Sequence, residues 1–127
     1  MSRLAAAAVT LVALLHVYFL VLEMFLWQTP LGMRTFGTTP EFAAASAVLA
    51  ANQGLYNGFL AAGLGWALVA YGVFRGRALL TFFLLCVAVA GIYGGATASL
   101  RIVFVQAVPA LIALGLVWSA RDPAARE

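Results

Sequence analysis

Two side chains that can exchange protons, His16 and Glu23, lie inside the strongly apolar run LHVYFLVLEMFLW. They are seven residues apart, nearly two turns of an α-helix, so both lie on one face about 10.5 Å apart along the axis. An imidazole and a carboxyl at such positions indicate ligand binding or proton transfer. His16 and Glu23 are therefore the candidate catalytic residues, and the pattern leaves open whether the chain is an enzyme.

Amide and phenol side chains in the other apolar runs could join Glu23. Polar groups within a membrane turn towards the interior of the protein and find partners there. We expect a buried polar pocket in the outer half of a helix bundle. It would bind a small, partly apolar molecule or a lipid fragment, with Glu23 as proton carrier or hydrogen-bond anchor and His16 at its floor. The predicted ligand-binding residues are His16, Glu23, Asn52, Gln53, Asn57, Tyr93 and Gln106.

The composition predicts an integral membrane protein. Hydrophobic residues make up 65% of the chain and charged residues only 9%, against about 25% charged in a soluble domain. Membrane lipid is the expected surrounding partner. All seven basic residues are arginines, and none forms a basic cluster with interleaved aromatics, so no nucleic-acid partner is expected.

The apolar runs predict an all-α fold, a transmembrane four-helix bundle in a single domain of residues 1–127. Turn-rich or charged stretches separate the runs, and the first loop, QTPLGMRTFGTT, contains both Gly and Pro. The predicted spans are Leu4–Trp27, Pro40–Phe74, Ala78–Ser99 and Ile102–Ser119.

The second span is too long for one membrane crossing. Thr39 is a suitable N-cap and Pro40 a suitable first residue. A helix from there to Phe74 would be about 52 Å long, whereas the hydrocarbon core is about 30 Å thick. We therefore expect an extended or bent second helix, with a break near Asn52-Gln53-Gly54 and the arm of residues 41–53 packed over the outer end of the bundle.

The arginines predict the orientation of the four spans. Arg34 and Arg101 fall on one side, and five arginines fall on the other. Cytoplasmic loops carry the excess of basic residues, so both termini of this multi-pass chain are expected in the cytoplasm. The five predicted cytoplasmic arginines are Arg3, Arg75, Arg77, Arg121 and Arg126.

Small residues recur four apart in the second and third spans. Such pairs allow close approach of helix backbones in lipid. They indicate compact packing within one chain or, alternatively, the seam of a homo-oligomer. The pairs are Gly54 with Gly58, Ala61 with Gly65, and Gly91 with Gly95.

The metal-binding residue types are too few for a closed site within one chain. His16 and Cys86 are the only histidine and cysteine, whereas a structural zinc site takes four such ligands. No metal and no cofactor, haem on His16 included, is expected. Glu23 could alternatively be a structural hydrogen-bond hub, and Tyr93 and Gln106 could serve helix packing alone.

Several stretches together resemble the domain-of-unknown-function 1304 family: HVYFLVLEMFLW, VLAANQGLYNGFLAAGL, GIYGGAT and VQAVPALIAL. The resemblance covers nearly the whole chain. It implies a small four-helix membrane protein, here of a bacterial inner (plasma) membrane, and supplies no activity. The residues that match the family's motif positions are His16, Glu23, Asn52, Gln53, Asn57, Tyr93 and Gln106.

Two other functions remain open at this point. Small multidrug exporters share the length, four helices and a glutamate in the first helix, which would make this chain a proton-coupled exporter acting as a dimer. However, alternating access requires a site reachable from both sides, and the polar residues here favour one end. The third interpretation is a non-catalytic subunit of a larger membrane complex.

Overall fold

The computed structural model describes residues 2–122; Met1 and residues 123–127, including Arg126 of the orientation count, lie outside the described part. Within residues 2–122 the chain is helical and contains no strand, which confirms the all-α prediction. A π-helical turn, Val103–Ala107, directly precedes the last helix. The five α-helices are α1 (Ser2–Met24), α2 (Pro30–Phe36), α3 (Pro40–Arg75), α4 (Arg77–Thr97) and α5 (Val108–Ser119).

Three of these helices, α1, α3 and α4, are long and apolar enough to cross a membrane. Large apolar side chains on α3 point outwards: Val48 is 76% exposed and Val69 is 91% exposed. Water would make such a surface costly, whereas lipid matches it. Val103–Ser119 is a shorter apolar helix, so the fourth span stays a prediction, as does the single-domain bundle.

The described residues form two compact units, residues 14–61 and residues 2–13 with 62–122. In the first unit, the fully buried apolar residues are Leu22 and Ala43. In the second, they include Val9, Leu64, Leu84 and Val117. Each unit therefore has an apolar core of its own.

The first loop was predicted to be a turn-rich connection, whereas it contains the short helix α2. Thr29 caps this helix: its Oγ1 accepts a hydrogen bond from the Gly32 N–H at 3.2 Å. Pro30 follows as the first helical residue, and Gly37, with φ 66°, ends the helix in the left-handed region. Pro at a helix start and Gly at its end are as typical of a short helix as of a turn.

Helix α3 begins as predicted, at Pro40, with the Thr39 hydroxyl accepting from the Phe42 N–H at 3.2 Å. The predicted break near Asn52-Gln53-Gly54 was wrong. The only non-helical residue within α3 is Gly72, with φ 71° and ψ −179°. Gly54 instead lies at a close contact with α1. The glycine at this position therefore serves helix packing and does not bend the helix.

The residues before Pro109 form a widened helical turn. The Val108 N–H donates to the Val103 carbonyl, a bond between residues five apart, as a π-helix requires. Proline has no N–H, and its ring excludes the carbonyl four residues earlier. Helix α4 packs against this turn, since a Cβ atom on Gly91 would lie only 2.6 Å from the Ala107 nitrogen.

Candidate functional site: the Glu23–Asn57 pair

Helices α1 and α3 approach closely at Gly54 and Gly58. A Cβ atom added at Gly54 would lie 3.0 Å from Glu23 Cβ and 3.2 Å from the Leu20 carbonyl oxygen. One added at Gly58 would lie 2.6 Å from Leu20 Cδ1. The glycine pair therefore packs against α1 of the same chain, as the compact-packing interpretation expects.

Asn57 lies between these glycines in sequence and contacts Glu23. Its side-chain Nδ2 donates a hydrogen bond to Glu23 Oε2 at 2.6 Å. Asn57 is buried, with 5% of its surface exposed, and Glu23 is partly buried. We call this contact the Glu23–Asn57 pair. It satisfies the requirement that a polar group in an apolar helix find a partner.

The pair retains hydrogen-bonding capacity. A carboxyl group has two oxygens and a carboxamide has one acceptor oxygen besides its two donor hydrogens. Among residues 2–122, Glu23 Oε1 and Asn57 Oδ1 make no further hydrogen bond. Two oxygen atoms on neighbouring side chains can therefore accept from a molecule that brings its own N–H or O–H groups.

Asn52 and Gln53 lie on α3 near the pair, and both side chains are exposed. Asn52 Nδ2 donates to the Val48 carbonyl of its own helix at 2.9 Å. At about 100° per residue, Gly54 and Gly58 lie on one flank of Asn57 and Gln53 on the other. Direct contact of Asn52 and Gln53 with a ligand stays a prediction.

His16 is enclosed, with 1% of its surface exposed. Its ring makes an edge contact with Phe19 at 5.5 Å between centroids. About 10.5 Å of helix rise separates it from Glu23, which is too far for direct proton exchange between the two side chains. A catalytic role for His16 and its place at a pocket floor stay predictions.

Comparison with known proteins identifies the family. Residues 10–118 match the model of a protein family of unknown function, DUF1304. The chain belongs to the DUF1304 family. A search of curated proteins finds no match, and a search of solved structures finds none either. The match extends over every predicted ligand-binding residue, from His16 to Gln106, whereas Arg3 and Arg121 lie beyond its ends.

In this DUF1304 chain, Tyr93 and Gln106 belong to the other compact unit. Tyr93 is 71% exposed. Gln106 is partly buried and packs on α4, because its Cβ lies 2.9 Å from the position of a Cβ on Gly91. The packing alternative therefore has direct support for Gln106. That these two side chains complete a pocket with Glu23 stays a prediction.

A tryptophan contact near the pair was not anticipated. Trp27 Nε1 donates to Ser46 Oγ at 3.1 Å, and the Trp27 ring lies 4.9 Å from that of Phe36. Through Trp27, the segment after α1 thus contacts both α2, at Phe36, and the arm of residues 41–53, at Ser46. The aromatic character of Trp27 was visible in the sequence, but no spacing rule connects it with a serine 19 residues later.

Proposed function

We propose that this protein binds a small, partly apolar molecule at the Glu23–Asn57 pair. The observation that carries the proposal is the 2.6 Å hydrogen bond from Asn57 Nδ2 to Glu23 Oε2. It fixes two polar side chains at an apolar helix contact and leaves one acceptor oxygen on each. A ligand for such a pair has an N–H or O–H group at one end and an apolar body.

Glu23 would anchor this ligand. Its Oε2 already accepts a hydrogen bond from Asn57, so Oε1 is the oxygen that would contact the ligand. As a carboxylate, Oε1 accepts a hydrogen bond; as a carboxylic acid, it can donate one instead. The same atom can therefore carry a proton to or from a bound molecule, which keeps an enzymatic role compatible with the proposal.

Asn57 would orient both the Glu23 carboxyl group and the ligand. Its amide hydrogen holds the Glu23 carboxyl, and its Oδ1 can accept from the ligand. A primary carboxamide has two N–H donors and could bridge Glu23 Oε1 and Asn57 Oδ1 simultaneously. An alcohol has one donor and could satisfy only one of the two oxygens.

Binding of decanamide, decanol and a methyl ether of equal length to the purified full chain in lipid nanodiscs tests this function. Native mass spectrometry counts the bound molecules. We expect the amide to bind best, the alcohol next and the ether, which has no donor, not at all. Loss of a hydrogen bond to a charged group corresponds to about tenfold in affinity, and loss of one to a neutral group to about fivefold. Glu23→Gln, which removes the charge, should therefore weaken amide binding by up to about tenfold, and Asn57→Leu by about fivefold.

Matched substitutions at exposed positions provide the control. Glu41→Gln and Gln28→Leu remove a carboxyl and a carboxamide at exposed positions outside the predicted site and should leave binding unchanged. Equal binding of amide and ether, or equal loss in the control variants, would contradict the proposal. If Glu23→Gln instead abolishes the efflux of a substrate that wild-type cells export, the proton-coupled exporter is the better account.

A further inference from the structure

A cavity of about 510 Å³ opens where the start of α1, the end of α3 and residues 120–122 meet. We call it the arginine cavity. Its volume lies within the roughly 300–1,000 Å³ typical of small-molecule sites. Residues that line it include Arg3, Val73, Phe74, Arg75, Arg121 and Asp122.

The lining combines positive charge with an apolar wall. Three arginines, Arg3, Arg75 and Arg121, stand against one aspartate, Asp122, which gives a net charge of +2. Apolar residues, Val73 and Phe74 of α3 with Ala6 of α1 and Ala120, form most of the remaining wall. This combination suits a molecule with an anionic head and an apolar body.

The break in α3 builds one wall of the cavity. Gly72 leaves the helical conformation with φ 71°, and the Gly76 N–H then donates to the Gly72 carbonyl at 3.0 Å. A Cβ on Gly76 would lie 2.6 Å from that carbonyl oxygen and 2.9 Å from the Ala67 oxygen. The two glycines thus turn the chain tightly, which brings Arg75 to the cavity.

Arg77 positions the opposite wall. Its guanidinium donates to the Ala120 carbonyl and lies 4.9 Å from the Phe74 ring and 5.2 Å from the Trp118 ring. Trp118 in turn donates to Thr81 Oγ1 at 3.0 Å. These contacts tie the end of α5 to the start of α4, and Ala120, Arg121 and Asp122 line the cavity.

We propose that the arginine cavity binds the phosphate headgroup of an anionic amphiphile. Planar guanidinium groups match phosphate oxygens in pairs of hydrogen bonds. Basic pockets between membrane helices bind phosphorylated lipid headgroups in the same way. The apolar wall accommodates the part of the molecule next to the phosphate. This site is separate from the Glu23–Asn57 pair and does not depend on the function proposed for it.

Lipid retention by the full chain tests the proposal. The protein is placed in vesicles of phosphatidylcholine with one fifth phosphatidylglycerol, extracted gently, and its bound lipids are counted by native mass spectrometry. We expect phosphatidylglycerol to be enriched in the bound fraction. An arginine near an anionic headgroup contributes about fivefold in affinity, so Arg3→Gln, Arg75→Gln and Arg121→Gln should each reduce the enrichment by about that factor.

Substitution of arginines outside the cavity tests whether lipid binds at the cavity or only through the overall surface charge. Arg34→Gln and Arg101→Gln remove equally exposed charges and should leave the enrichment intact. Thermal melting without anionic lipid confirms that each variant is folded. A second experiment measures the melting temperature with inorganic phosphate. If phosphate raises the melting temperature of wild-type protein but not of Arg75→Gln, the cavity also binds free phosphate. No enrichment and no phosphate effect, or equal losses in the Arg34 and Arg101 variants, would overturn the proposal.

Discussion

The Glu23–Asn57 pair and the arginine cavity place polar groups in an apolar chain by different means. At the pair, Gly54 and Gly58 remove side-chain bulk, so that two helices approach and one hydrogen bond forms between neutral and acidic side chains. At the cavity, charged residues stand at helix ends, and aromatic contacts hold the segments that carry them. We therefore expect the free energy of unfolding to depend on small side chains at the Glu23–Asn57 pair and on backbone conformation at the arginine cavity.

Of the substitutions considered, Gly54→Leu should lower the free energy of unfolding most. A side chain there would collide with Met24, Glu23 and Leu20, since even a Cβ lies 2.7 Å from Met24 Cγ. Overpacking of this kind costs about 3 kcal/mol. Chemical denaturation in mild detergent measures the loss.

The control for Gly54 lies on the same helix. Gly65 has no atom within 4 Å of an added Cβ, so Gly65→Ala should leave stability unchanged or raise it by up to about 1 kcal/mol. If Gly65→Leu destabilises as much as Gly54→Leu, the close approach at the pair is not what distinguishes the two sites.

The next largest effect is expected from Gly72→Ala. No atom lies within 4 Å of the added Cβ, so the cost arises from the backbone alone. The conformation with φ 71° and ψ −179° is nearly restricted to glycine and costs other residues about 2 kcal/mol. The same denaturation experiment measures it. An unchanged stability would mean that α3 passes Gly72 as a regular helix.

Asn57→Leu should cost about 1 to 2 kcal/mol, because it leaves the Glu23 carboxyl without its donor. The double variant Glu23→Leu with Asn57→Leu should recover most of this loss, since removing both partners is often nearly neutral. Asn52→Leu, which breaks a bond only within its own helix, serves as control. Strictly additive single-variant effects would argue against a direct pair.

The smallest effect, about 1 kcal/mol, is expected from Arg77→Gln, which removes the bond to the Ala120 carbonyl and the contacts with Phe74 and Trp118. Lipid enrichment at the arginine cavity should fall as well, although Arg77 does not line it, because residues 120–122 lose their support. If Arg77→Gln protein retains wild-type enrichment of phosphatidylglycerol, the contacts of Arg77 do not shape the cavity.

Much of the helix layout follows from the sequence. Apolar run length predicts α1, α3 and α4 within a few residues, and Thr39-Pro40 fixes the start of α3. An amide partner for Glu23 was expected from residue type, because buried carboxyls need partners, but residue type did not single out Asn57. The glycine spacing indicated close packing, although not which helix would be the neighbour.

Other features depend on three-dimensional context that the sequence does not contain. Gly54 and Gly72 are the same residue in the same helix, yet one packs and the other breaks the helix. Helix α2 was missed because its Pro and Gly also fit a turn. The arginine cavity was missed because arginines were interpreted as orientation signals, each taken by itself.

The decisive measurement is the distance between the Glu23 carboxyl carbon and the Asn57 side-chain nitrogen. Solid-state NMR of the full chain in lipid, with labelled Glu carboxyl carbons and Asn side-chain nitrogens, measures their dipolar coupling. We expect a strong coupling that Asn57→Leu abolishes and Asn52→Leu preserves. A coupling that is absent in wild-type protein, or that survives Asn57→Leu, would contradict it.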